Sequence, residues 1–216
     1  HYAPVKPGLT TDCLVAFVDF APTVLSLTNT PIPKYMQGKS FLGPEMSEPR
    51  TLVHGHRDRV DEVRDLARSV RDSRFLYIRN FMPHLSYNQP SAWPDLGEIR
   101  HEFYRLCNRK TMTPAQWHFA GPTRPVEELY DCLNDPQNLK NLSESENHEN
   151  ILVRMRGGLL KHLIQSRDLG FVPEYEAWVA CKDSSGWENG LTGEIDLKKI
   201  LRAAYYAPMS RRTSSS

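Results

Sequence analysis

The chain has 216 residues, enough for one domain or one and a half, with 27 Lys and Arg against 26 Asp and Glu, a formal net charge of +1. So even a balance excludes the strong one-signed field that nucleic acid or an acidic membrane surface would require. No apolar run approaches the ~20 residues that span a bilayer, and His1 to Gly8 lacks the charged, apolar and small-residue sections of a signal peptide.

In chain order, residues 1–10 are Pro- and Gly-rich and read as a surface loop. Cys13 to Val18 is a short apolar run with β-branched members, expected to be a buried strand end with Cys13 a small buried residue. Asp19 is placed to cap a helix with Pro22 in its first turn. That helix is expected to turn Val24, Leu25 and Leu27 inward and to stop near Asn29. A strand running straight into a helix is an α/β pattern.

From Arg50 the texture changes. Thr51–His54 reads as a short strand. Leu66–Asp72 and Arg74–Phe81 read as two strands joined by a turn at Asp72-Ser73, with Phe75, Tyr77 and Arg79 alternating with Leu76, Ile78 and Asn80. Met82–Leu96 is an irregular loop. Glu98–Asn108 is helical, with Ile99, Phe103 and Leu106 on one face, and Glu127–Leu133 is a strand ending in Asn134-Asp135-Pro136. Glu149–Gln165 is the clearest helix, its apolar residues recurring at three- and four-residue steps from Ile151 to Leu163. Shorter helical pieces are expected in Phe171–Ala180 and Ile195–Tyr206, before a polar tail, 210–216, expected to be disordered.

The densest polar cluster runs from His54 to Glu62. His54, His56, Arg57 and Arg59 are the candidate substrate-binding residues, because guanidinium groups bind sulfate, phosphate or carboxylate through paired hydrogen bonds and histidine adds a donor near neutral pH. The plain alternative is a solvated loop with surface ion pairs. His54 and His56 at i, i+2 on a strand would permit zinc, but no third ligand lies near them in sequence, so no metal site is assigned. Arg100, His101, Glu102, Tyr104 and Arg105 read as a solvated helix face, with a substrate contact as the alternative. No nucleophile elbow and no Gly-rich phosphate loop occurs. Cys13, Cys107, Cys132 and Cys181 stand singly, without a C-x-x-C pair.

Two blocks resemble the sulfatase family. Asp19-Phe20-Ala21-Pro22-Thr23-Val24-Leu25 with Gly38-Lys39-Ser40 resembles its D-x-x-P-T-x-L…G-x-S block. Glu128-Leu129-Tyr130-Asp131…Asn134-Asp135-Pro136…Asn141-Leu142 resembles its C-terminal signature. Between them, Asp58-Arg59-Val60-Asp61-Glu62…Ser69-Val70-Arg71-Asp72…Tyr77-Ile78-Arg79-Asn80-Phe81 is similar to a run in bacterial sulfatases, including those similar to heparan N-sulfatase. Arg167-Asp168…Gly170-Phe171…Pro173-Glu174 resembles members that continue into a helical extension.

The resemblance implies the C-terminal portion of a sulfatase of the alkaline-phosphatase superfamily. The fold class it implies is α/β (α+β within this chain). Residues 1–50 would end the α/β domain, 51–147 would form an antiparallel-sheet subdomain, and 148–209 a packed helix with its extension. The parent would be an arylsulfatase-like hydrolase of sulfated carbohydrate, periplasmic or secreted, with calcium and a formylglycine made from the motif C/S-x-P-x-R. Ser47-Glu48-Pro49-Arg50 is one residue too short for that motif, and no cysteine here begins one. The resemblance therefore assigns catalysis to an N-terminal domain of the same polypeptide, and none to this chain. The alternatives are a stand-alone module that binds sulfated glycans, or a phosphate or phosphonate hydrolase of the same superfamily.

Overall fold

The computed structural model describes residue 8 and residues 10–186, 188 and 196–207. It centres on four short strands, β1 (Val53–Arg57), β2 (Ala67–Arg71), β3 (Phe75–Asn80) and β4 (Glu127–Asp131), paired in chain order and antiparallel throughout. The β2–β3 turn forms because the Asp72 carboxylate accepts the backbone N–H groups of Arg74 and Phe75 at 2.8 and 2.6 Å. One sheet face carries Val70, Phe75, Tyr77 and Leu129, all nearly inaccessible. Helix α4 (Glu149–Ser166) covers it with Leu152, Met155, Leu159 and Leu163, the i, i+3, i+4 stripe expected of a core-facing helix. Phe171 and two leucines of the last described helix, Leu197 and Leu201, close this core.

The other α-helices among the described residues are α1 (Phe20–Leu27), α2 (Glu98–Arg109), α3 (Pro114–Ala120), α5 (Glu174–Ala180) and α6 (Leu197–Tyr206). The mixed α/β architecture agrees with the sequence reading, and several elements shift. β1 starts two residues later than expected. α3 was not expected, although Thr113 and Gln116 form a capping box with Pro114 at the first helical position. Ile99 on α2 and Leu160 on α4 are exposed rather than inward. Cys13, Cys107 and Cys132 are free thiols, and Cys13 is exposed. The loop expected at 1–10 lies mostly outside the described residues; Ile195 and the tail 210–216 lie wholly outside them.

The largest correction concerns residues 13–27. Cys13–Val18 is not a buried strand; its one ladder contact is a bridge between Leu14 and Arg50. Asp19 holds the N-cap position of α1, as expected, but its side chain makes no capping hydrogen bond to the helix. Its carboxylate lies beneath the helix and accepts backbone N–H groups from Ala16 at 2.9 Å and Lys39 at 2.7 Å. It also takes both edges of the Arg50 guanidinium. Thr23 Oγ1 donates to the Asp19 carbonyl at 2.6 Å and accepts from the Phe41 amide at 3.1 Å, while Ser26 Oγ accepts the Glu45 amide at 2.9 Å. A Cβ on Gly38 would lie 2.0 Å from the Val18 carbonyl oxygen, so only glycine fits where this loop crosses the helix start. Helix α1 thus buries Pro22, Thr23 and Ser26 and turns Val24 and Leu27 outward, the reverse of the expected faces.

The Asp19–Arg50 pair is the tie between α1 and the sheet domain, and Asp19 is 1% exposed. Burial opposes its ionisation, but Arg50 and the two backbone donors outweigh that and hold its pKa below the ordinary range. Removing one member of a buried pair typically costs ~3–5 kcal/mol. Asp19→Ala is therefore expected to lower unfolding free energy by about that amount in urea titrations at pH 7. In the wild type the contribution of Asp19 should be present above its unfolded pKa and disappear as pH falls through the lower folded value.

Candidate functional site

The four candidate residues lie in and just beyond β1, and the structure divides them. His54 and His56 alternate with Arg57, so the strand sends them to opposite faces of the sheet. His54 points toward α4 and stacks on His162, with ring centroids 3.6 Å apart and planes 8° from parallel. His56 is exposed. Arg57 contacts Asp65 at 3.0 Å. Arg59 lies past the strand end and forms a two-pronged pair with Glu174 of α5, both contacts 2.8 Å.

The His54–His162 stack is uncharged at neutral pH. Desolvation, then the neighbouring His162 and Arg50, push the His54 pKa down to about 4; desolvation also lowers that of His162. His54 Nε2 is buried without a hydrogen-bond partner. The pair therefore supplies a flat neutral surface rather than cations for an anion.

Beside β1, a buried arginine organises the ground on which Arg59 stands. Arg68 of β2 is 2% exposed. It donates to Asp168 at 2.6 and 3.1 Å and to Asp58 at 2.9 Å, and its guanidinium lies 5.1 Å from the centre of the Phe171 ring. Burial opposes the charge of Asp168, yet Arg68 keeps its pKa low. On the opposite face, Asp65 is enclosed by Arg57 and Arg124. Arg100, expected on a solvated face, instead joins Asp95 and Tyr104 in a local network, while Arg105 pairs with Glu102 as a surface pair.

These contacts hold the β1–β2 connection against the 168–174 segment and leave a cleft of about 500 Å³ between them. Of the four candidate residues, Arg59 lines it. Opposite stand Phe171, Ala177 and Trp178, with Arg64 and Met82 on the near side. The sequence reading missed His162, Arg68, Arg64 and Trp178, because their partners are distant in the chain. The run Asp168…Gly170-Phe171…Glu174 did carry the signal. Asp168 and Phe171 meet Arg68, Glu174 meets Arg59, and a Cβ on Gly170 would lie 2.2 Å from Arg68 Nη2. Among the described residues no group of three or more His, Cys, Asp or Glu is placed to hold a metal ion.

Comparison with known proteins finds sulfatases. Over 163 residues the chain is 38% identical to an ulvan-active sulfatase of Formosa agariphila, a match covering 76% of this chain and 27% of that protein. It is 25% identical over 182 residues to the N-sulphoglucosamine sulphohydrolase of Homo sapiens, covering 76% of this chain and 35% of that protein. A solved structure of a 2-O GAG sulfatase aligns with a TM-score of 0.46 at 20% identity, over 70% of this chain and 25% of that one. No protein-family profile matches. The chain is similar to sulfatases over about three quarters of its length, and its two signature blocks resemble those of a C-terminal portion. It spans 27% and 35% of the length of these two curated relatives.

The histidine stack generates a pH prediction. The folded pKa of His54, about 4, lies below its ordinary 6.5, so the unfolded chain binds more protons between those values. Stability should therefore be full above pH 6.5 and fall as pH drops from there toward 4. His54→Phe keeps a flat ring against His162 and removes one titrating group. Urea midpoints measured from pH 7.5 to 5 should decline less steeply in this variant than in the wild type; identical slopes would refute the assignment.

Proposed function

We propose that this chain is the C-terminal portion of a sulfatase acting on sulfated carbohydrate, and that it hydrolyses no sulfate ester by itself. The observation that carries this reading is the apolar surface around α1. Phe17, Val18, Phe20, Val24 and Leu27 are 89, 51, 50, 57 and 37% exposed, although the segment beneath them is rigidly tied by Asp19 and Thr23. An ordered apolar surface of this concentration is a contact surface. The occupant that fits is the larger α/β part of the same polypeptide, since the surface is built on the first signature block.

In this reading the formylglycine and calcium of the parent supply the nucleophile and the charge stabilisation for cleaving the sulfate ester. The described residues do not fit a metal centre, and no step through one is assigned to them. What this chain contributes is support for the larger domain and the cleft bounded by Arg59. The carbohydrate class follows from the relatives, one ulvan-active and one an N-sulphoglucosamine sulphohydrolase.

The isolated 216-residue chain should show no aryl-sulfate hydrolysis above background, with or without calcium. Turnover that disappears on mutating a residue of this chain would overturn the reading. The surface around α1 gives a second test. Val24→Asp changes an exposed residue and should alter the stability of the isolated chain by no more than ~0.5 kcal/mol. In the full-length protein the same change should bury an unpaired carboxylate and destabilise by several kcal/mol, seen as loss of soluble, protease-resistant enzyme. Equal, small effects in both would show that nothing covers this surface.

A further inference from the structure

The cleft between the β1–β2 connection and α5 combines features that the signature blocks do not explain. Its volume of about 500 Å³ falls within the ~300–1,000 Å³ typical of small-ligand sites. The Trp178 indole at its lip is 70% exposed and is carried on a helix, so a broad apolar plane is presented to solvent at fixed orientation. Across the cleft, Arg64 makes no ion pair among the described residues. Arg59 is bound by Glu174 in the paired geometry that a sulfate would also accept, and both side chains are solvent-accessible at 45 and 37%.

A flat aromatic plane beside guanidinium groups matches one ligand chemistry closely. The C–H-lined face of a pyranose rests on the indole, and an ester sulfate on the ring accepts guanidinium hydrogen bonds. We propose that this cleft is a binding subsite for a sulfated sugar residue, with Trp178 as the platform and Arg64 and Arg59 as the sulfate contacts. The proposal rests on the sulfatase reading above and assigns the ligand class to one place on the chain.

A protein partner on α5 would use the surface differently. Tyr175 and Val179 are 78 and 57% exposed on the same helix and do not line the cleft. A docked protein segment would cover them together with Trp178, whereas a sugar in the cleft needs Trp178 and the arginines.

The test is calorimetric titration of the 216-residue chain with a sulfated tetrasaccharide and with its desulfated counterpart, each variant first checked for native circular dichroism. The wild type should bind the sulfated sugar and bind the desulfated one roughly tenfold more weakly. Trp178→Ala and Arg64→Gln should each weaken sulfated-sugar binding by roughly tenfold, the loss expected of an anchor contact. Trp178→Phe should recover most of it, and Tyr175→Ala and Val179→Ser should leave it unchanged. Wild-type failure to bind, or undiminished binding by Trp178→Ala, would overturn the proposal. So would equal losses from Tyr175→Ala, which would assign the helix to a protein partner. The two readings fail separately. Unaltered sugar affinity in Trp178→Ala with an active full-length enzyme removes the subsite only. Trp178-dependent binding with a full-length protein inactive on every sulfate ester removes the sulfatase reading only.

Discussion

The cleft depends on one buried cation. Arg68 sits within the sheet at 2% exposure, and an isolated guanidinium there would be prohibitively costly. It is tolerated because Asp58 and Asp168 both accept from it and the Phe171 ring lies against its plane. Those partners come from two different connections, one leaving β1 and one leaving α4. Satisfying Arg68 therefore fixes the distance between the two walls. Gly170 is part of the same constraint, because any side chain there would enter the space of the guanidinium. The Arg59–Glu174 pair is the exposed continuation of this tie and sets the cleft's rim. Such a pair gains little in water, so its place is better explained by geometry than by stability.

The signature residues are spent inside the molecule. In the first block Asp19, Thr23 and Gly38, with Ser26 just beyond it, knot a loop under α1. In the second, Glu128 is buried and receives hydrogen bonds from Asn80, Tyr87 and Tyr130. Asp131 holds Arg74 and the turn at Asn134. Asn141 bridges the backbone of Leu129 and Glu127. Each does work that no other residue type does as well, namely satisfying buried donors at fixed distance. A motif that carries a family resemblance can be spent wholly on holding a fold together.

How much could be read from the sequence follows from the same physics. The hairpin of β2 and β3 was legible because Phe75, Tyr77 and Arg79 alternate and face one side. α4 was legible because its stripe meets a core within this chain. α1 misled because apolar periodicity reports which face is covered, not what covers it. Val24 and Leu27 were taken to face inward, and within the described residues they face out. The Asp19–Arg50 tie was illegible for another reason: the two residues lie 31 positions apart, and neither has a local pattern. Local pattern was also silent on His162, more than a hundred residues from His54, and so the neutrality of the candidate histidine could not be foreseen.

The division between spent and unspent residues bears on the proposed subsite. Carboxylates with two or three donors, such as Asp19, Glu128 and Asp168, are already satisfied and cannot bind a ligand without breaking the fold. His54 is fixed by its stack and carries no charge at neutral pH. What remains available is the group whose present partner water or a ligand can replace at small cost. Arg59 meets that condition because its pair with Glu174 is half-exposed, and Arg64 meets it because, among the described residues, it makes no close ion pair and only its charge reaches Glu174. Trp178 meets it as an apolar surface that nothing in the described chain covers. The residues left free to meet the proposed ligand thus lie outside the two signature blocks, on the connections that the buried Arg68 holds in place.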